Sequence, residues 1–135
     1  MTERAAAALW HFAACPLPVP ERDVRFKVLG IADGDTLTGD LEVWHHRLEL
    51  TDVRLLGINV YEYRTGTAAE REKGAAARAW VQERVAGRWA VVRTRMRRDK
   101  YGRLLGAVFY LGADGALHDL AAQLRAAGYE KPAGA

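Results

Sequence analysis

From residue 24 onward the chain is divided into short runs of alternating apolar and polar positions. Val24, Phe26 and Val28 alternate with Arg25 and Lys27, the two-residue period of a half-buried strand. Asp33-Gly34-Asp35 marks a turn. Leu41–Leu50 reads as a second strand with Trp44, His46, Leu48 and Leu50 on one face, and Asp52–Ile58 reads as a third. Thr67-Ala68-Ala69-Glu70 has the spacing of a helix capping box. The helix it opens is predicted to run to about Ala86, with Ala77, Trp80, Val81 and Val85 on one face and Gly87 as its stop. Trp89–Met96 is the fourth predicted strand, Asp99-Lys100-Tyr101-Gly102 a tight connection and Leu104–Leu111 the fifth strand. Ala113-Asp114-Gly115 then turns the chain into a last helix bearing Leu117, Leu120, Ala121 and Leu124, stopped at Gly128. The expected fold is mainly β with two helices (α+β). Five short strands suit a small, partly open barrel, with one helix between strands three and four and one at the C-terminal end.

Residues 1–22 follow a different pattern. Ala5–Ala14 form a mostly apolar run closed by Pro16, Pro18 and Pro20, too short to cross a bilayer. Glu3 offsets Arg4, and Trp10 and His11 interrupt the run, which makes a poor secretory signal. A short N-terminal helix or loose arm is expected over residues 1–22, followed by one domain over 23–135. A monomer without a membrane segment is expected, with a cytoplasmic location and secretion left open.

Composition narrows the chemistry. Cys15 is the single cysteine, which excludes an intrachain disulfide and a cysteine-rich zinc site. No serine occurs, so serine-nucleophile mechanisms are excluded. The net charge of +3 hides an uneven distribution. Residues 1–53 carry five basic and nine acidic side chains, residues 54–103 thirteen and five, and residues 104–135 two and three. Arg93, Arg95 and Arg97, followed by Arg98, Lys100 and Arg103, would form a stripe on one strand face. Such a stripe suits a phosphate-bearing partner; the alternative is a solvated strand face.

Several nuclease designs are absent. The one asparagine, Asn59, lacks the histidines of an HNH site, and no lysine has an acid two residues before it. Walker A and GxGxxG patterns are missing. Adjacent His45 and His46 would point to opposite strand faces and could not share a metal. Three clusters remain: Asp33-Gly34-Asp35-Thr36, Val53-Arg54-Leu55-Leu56-Gly57-Ile58-Asn59-Val60-Tyr61-Glu62, and Asp99-Lys100-Tyr101-Gly102-Arg103. Each alone reads equally well as turn chemistry with surface charge.

Together, in this order and each at a strand end, the three clusters resemble the staphylococcal nuclease (thermonuclease) family over roughly Phe26–Tyr129. The pattern is most similar to the smaller phage-type members. The resemblance implies an OB-fold barrel with a calcium-dependent phosphodiesterase site acting on DNA or RNA with little sequence preference. It implies metal ligation by Asp35 and the Val60 carbonyl, with Asp33 acting through metal-bound water. Arg54 and Arg103 would hold the scissile phosphate, Glu62 would serve as general base or orient the attacking water, and Lys100 and Tyr101 would contact the nucleotide. Two positions depart from the family pattern. Asn59 stands where the family has a second metal-ligating aspartate, so one negative charge is missing and magnesium or manganese becomes an alternative to calcium. Tyr61 replaces the proline before the glutamate, which removes a restraint on φ. A non-catalytic nucleic-acid-binding module, or a structural or interaction role on the same barrel, is the alternative expectation.

Overall fold

The computed structural model describes residues 19–44 and 46–134. The N-terminal arm expected over residues 1–22, with His11 and Cys15, falls outside these up to residue 18, as does His45. Six strands and two helices follow in the order β1 (Arg22–Asp33), β2 (Thr36–Glu42), β3 (Leu48–Leu55), α1 (Ala68–Val85), β4 (Trp89–Thr94), β5 (Leu104–Leu111), β6 (Leu117–Asp119) and α2 (Leu120–Ala126). The sheet order is β3-β2-β1-β4-β5-β6, and a parallel pairing of β3 with β5 closes the first five strands into a barrel. This is the OB-type α+β fold, with α1 inserted between the third and fourth strands.

The barrel closes because one face of every strand is apolar. Phe26 and Val28 of β1, Leu37 and Leu41 of β2, Val53 and Leu55 of β3, Val92 of β4, and Leu104 and Val108 of β5 are buried together. Val81 and Val85 of α1 and Leu120 and Leu124 of α2 complete this core. Each large side chain so buried contributes about 1.5–3 kcal/mol. Within α1, Thr67 caps the Glu70 N–H and the Glu70 carboxylate caps the Thr67 N–H, as the spacing predicted. Gly87 follows the helix with φ of 73°, a conformation glycine adopts without penalty.

The main difference from expectation concerns Leu41–Leu50. This segment is not one strand but the end of β2, a turn and the start of β3. Val43 N–H donates to the Arg47 carbonyl and Arg47 N–H to that of Trp44, reversing the chain where alternation predicted continuous pairing. His46 takes a left-handed φ of 62° in this turn, and Trp44 and Leu50 stand 72% and 66% exposed. Apolar residues at a hairpin tip imitate the period of a buried strand. The third strand, expected over Asp52–Ile58, accordingly starts at Leu48 and ends at Leu55. Leu117–Asp119, expected as helix, instead pairs with β5 as β6, and Asp119 caps α2 through the Ala121 and Ala122 N–H groups.

Two glycines set how closely α1 approaches the candidate site. A Cβ on Gly34, in the β1–β2 turn, would lie 3.0 Å from both the Ala77 and Val60 side chains. A Cβ on Gly74 of α1 would lie 2.4 Å from the backbone of Glu62. The helix therefore lies directly against the two segments that carry Asp35 and Glu62.

Candidate active site

The β1–β2 turn, the end of β3 with its following loop, and the β4–β5 connection meet at one end of the barrel. Asp33, Asp35, Arg54, Asn59, Val60, Glu62 and Arg103 line a single cleft there of about 490 Å³. Thr36 of β2 pairs directly with Arg54 of β3, and Arg54 of β3 with Leu105 of β5, so the barrel's closure brings the first and second clusters to the third.

Asp35 is only 7% exposed, and both of its oxygens accept hydrogen bonds. Its Oδ2 accepts from the Val60 N–H at 3.1 Å and from Arg54 Nη2 at 3.2 Å, and its Oδ1 accepts from the Thr36 hydroxyl at 3.2 Å. Arg54 Nη1 donates to the carbonyls of Leu55 and Ile58 at 2.7 and 2.8 Å, which locks the guanidinium against its own loop. Arg54 Nη2 also donates to Asn59 Oδ1, so one guanidinium nitrogen bridges the two side chains at the expected metal-ligating positions. The Lys131 N–H donates to the Asn59 carbonyl at 2.7 Å, tying the C-terminal segment to this loop.

Arg103 is held from the opposite side. Asp99 Oδ2 accepts from its Nε at 2.7 Å and Asp99 Oδ1 from its backbone N–H at 2.9 Å. Burial alone would raise the Asp99 carboxyl, but the Arg103 N–H and guanidinium and the Tyr101 N–H outweigh it and hold it below the usual range. Arg103 Nη1 reaches the Thr36 hydroxyl at 3.4 Å, which makes Thr36 a link between the Asp35 and Arg103 sides.

Glu62 is exposed and accepts from the Thr65 hydroxyl at 2.7 Å. Asp33 accepts from the Tyr63 N–H at 3.4 Å. Burial pushes the Asp33 carboxyl above its ordinary range, and the charges of Glu62 and Asp35 add to this, against the Tyr63 N–H and Arg64. Four carboxylates, Asp33, Asp35, Glu62 and Glu70, thus line a cleft whose walls also carry Arg54, Arg103 and Lys131. All the donor atoms offered inside it are oxygens, which suits a hard divalent cation. Among the described residues, no three Asp, Glu, His or Cys side chains cluster closely enough to hold a metal by themselves. An amide at Asn59 rather than a carboxylate accords with that.

The other predicted residues are placed differently. Lys100 and Tyr101 stand on the β4–β5 connection, with the Tyr101 ring 71% exposed and 5.2 and 5.3 Å from the Lys100 and Arg103 charges. The arginine stripe does not form on one strand, because β4 ends at Thr94 and Met96 turns the chain with φ of 58°. Arg93 alone lies in β4, where it pairs bidentately with Asp23 at 2.9 and 3.2 Å; Arg95 donates to the Val19 carbonyl and Arg97 is exposed. None of the three lines the cleft. Thr36, Asp99 and Lys131 also stand at the site, and the sequence alone signals no separate role for them. The first two stand inside the recognised clusters, whereas Lys131 reaches the site only through the tertiary fold.

The family model for staphylococcal nuclease homologues matches residues 52–131. No curated protein matches the chain. No helix among the described residues is long and apolar enough to cross a membrane.

Proposed function

Because the chain belongs to the staphylococcal nuclease homologue family, we propose that it is a divalent-metal-dependent nuclease that hydrolyses DNA or RNA phosphodiesters by attack of an activated water. The observation that carries this reading is the convergence of Arg54, Arg103, Asp35 and Glu62 on one cleft. Asp35, Asn59 and the Val60 carbonyl would hold the cation, calcium in the first instance, with Asp33 beyond them. When bound, the cation withdraws charge from a phosphoryl oxygen. Arg54 and Arg103 would approach the phosphate from two sides. Arg103 is held by Asp99, while Arg54 would keep its Nη1 bonds to the Leu55 and Ile58 carbonyls and turn Nη2 from the Asp35 and Asn59 oxygens to the phosphate as the cation takes them. Glu62, oriented by the Thr65 hydroxyl, takes the proton from the attacking water or aligns it. Lys100, Tyr101, Arg95 and Arg97 offer contacts to the strand outside the cleft.

Asn59 favours a second reading, a nucleic-acid-binding barrel with weak or lost hydrolysis. Glu62→Gln separates the two. For a nuclease it should reduce cleavage of single-stranded DNA and RNA by two orders of magnitude or more while leaving oligonucleotide affinity within twofold. Wild-type protein that binds oligonucleotides but cleaves neither polymer with calcium, magnesium or manganese would establish the binding module instead.

A further inference from the structure

The loop after β3 presents Glu62 to the cleft, and backbone N–H groups hold it at Val60, to Asp35, and at Tyr63, to Asp33. Between these points stands Tyr61, which lacks proline's restraint on φ. Its half-buried ring meets two ammonium groups: Lys73 of α1 at 5.6 Å and Lys131 of the C-terminal segment at 5.1 Å from the centroid. Both partners come from anchored segments. Lys73 precedes Gly74, where a Cβ would lie 2.7 Å from the Tyr61 carbonyl oxygen, so the loop rests directly on α1. Lys131 donates its N–H to the Asn59 carbonyl at 2.7 Å, and the Tyr129 ring before it stands 5.9 Å from that of Trp80 in α1. The Thr67 N–H and hydroxyl, and then the charges of Lys131 and Lys73, hold the Glu70 carboxyl below its ordinary range against burial. Glu70 thus stands near both lysines, and its negative charge offsets their mutual repulsion at the ring.

We propose that Tyr61 is a positioning residue for Glu62: its ring, held by Lys73 and Lys131, ties the Glu62 loop to α1 and to the C-terminal segment in place of a backbone restraint. A cation over an aromatic ring at an exposed site shifts an equilibrium by about two- to fivefold, so the two contacts together favour the held loop over a released one by about tenfold. The ring makes both contacts, so phenylalanine can substitute for tyrosine here and an aliphatic side chain cannot. The C-terminal segment thereby becomes part of the site's support, for Lys131 fixes the loop at Asn59 through its backbone and at Tyr61 through its side chain. The task given to Glu62 rests on the nuclease reading; the fixing of its loop does not.

The test combines amide hydrogen exchange with steady-state kinetics on the full chain, and circular dichroism checks that each variant is folded. In Tyr61→Leu, and in the Lys73→Gln/Lys131→Gln double variant, the amides of residues 61–66 should exchange about threefold faster or more, while those of β1 and β5 keep their rates. With single-stranded DNA as substrate, kcat should fall about threefold or more in both proteins and KM should change less than about twofold. All three substitutions together should cost no more than Tyr61→Leu alone, because either change removes the same contacts. Tyr61→Phe should keep both the exchange rates and the kcat of the wild type. Unchanged loop exchange in folded Tyr61→Leu would overturn the inference, as would equal losses in Tyr61→Phe and Tyr61→Leu. A raised KM with kcat and exchange unchanged in the lysine variant would overturn it too, giving the lysines to substrate phosphates instead. If the wild type cleaves neither DNA nor RNA, the nuclease reading fails, and the exchange rates still decide whether Tyr61 holds the loop.

Discussion

Replacing Asn59 with aspartate restores one negative charge at the position where the amide oxygen meets Arg54 Nη2. Asp35 Oδ2 meets that same nitrogen at 3.2 Å, so the two side-chain oxygens face one positively charged point of the cleft. Asn59 is exposed, so the screening appropriate to water is the conservative choice. A new unit charge about 4 Å from a divalent ion then contributes about 2 kcal/mol, and more where the cleft excludes water. That corresponds to about thirtyfold in affinity. Isothermal titration of calcium into wild type and Asn59→Asp, at one ionic strength and pH 7.5, should therefore show Kd falling by at least tenfold in the variant. Arg54 remains to share the added charge, so the folded state should persist and the comparison stays direct. Equal calcium affinities in the two proteins would refute the placement of Asn59 at the metal.

Asp99→Asn should loosen Arg103, lowering kcat about tenfold with a smaller change in KM; steady-state kinetics on single-stranded DNA would read this. The folded Asp99 carboxyl sits below its ordinary value, so its contribution to stability is complete above that value and is lost as pH falls through the folded one. Melting temperatures recorded from pH 6 to pH 2.5 should accordingly drop less steeply for Asp99→Asn than for wild type. Gly74→Ala would drive a methyl group into the Glu62 backbone, displacing the Glu62 loop or α1 at a cost of about 1–3 kcal/mol. Urea denaturation should show that loss, accompanied by a fall in kcat.

Much of this fold was legible because local chemistry and tertiary demand agree. The capping box at Thr67 and Glu70, the Gly87 stop and the alternation around Phe26 each specify an element that packing then retains. The stretch Leu41–Leu50 misled because Trp44, Leu48 and Leu50 are apolar yet exposed at the hairpin and along β3, so alternation there does not report burial. The arginine run misled for a related reason: the two-residue period carries meaning only while the strand lasts, and β4 stops at Thr94. At the candidate site, the three clusters each sit in a turn or at a strand end, where polar residues have few structural reasons to recur in that order. Thr36 and Asp99 lay within those clusters, but their roles as links depend on a β3–β5 closure that no local pattern encodes. Lys131 reaches the cleft across a long sequence separation, and nothing in its surroundings along the chain marks it.

The central claim is that Asp35, Arg54, Glu62 and Arg103 form a working hydrolytic site despite the amide at Asn59. Its most direct test is the rate at which purified wild-type protein cleaves single-stranded DNA and RNA with calcium, magnesium, manganese or EDTA, with Arg54→Ala alongside. The account predicts cleavage that requires a divalent ion, stops in EDTA and falls at least a hundredfold in Arg54→Ala. Absence of cleavage with all three metals, or cleavage that continues unchanged in Arg54→Ala, would contradict it.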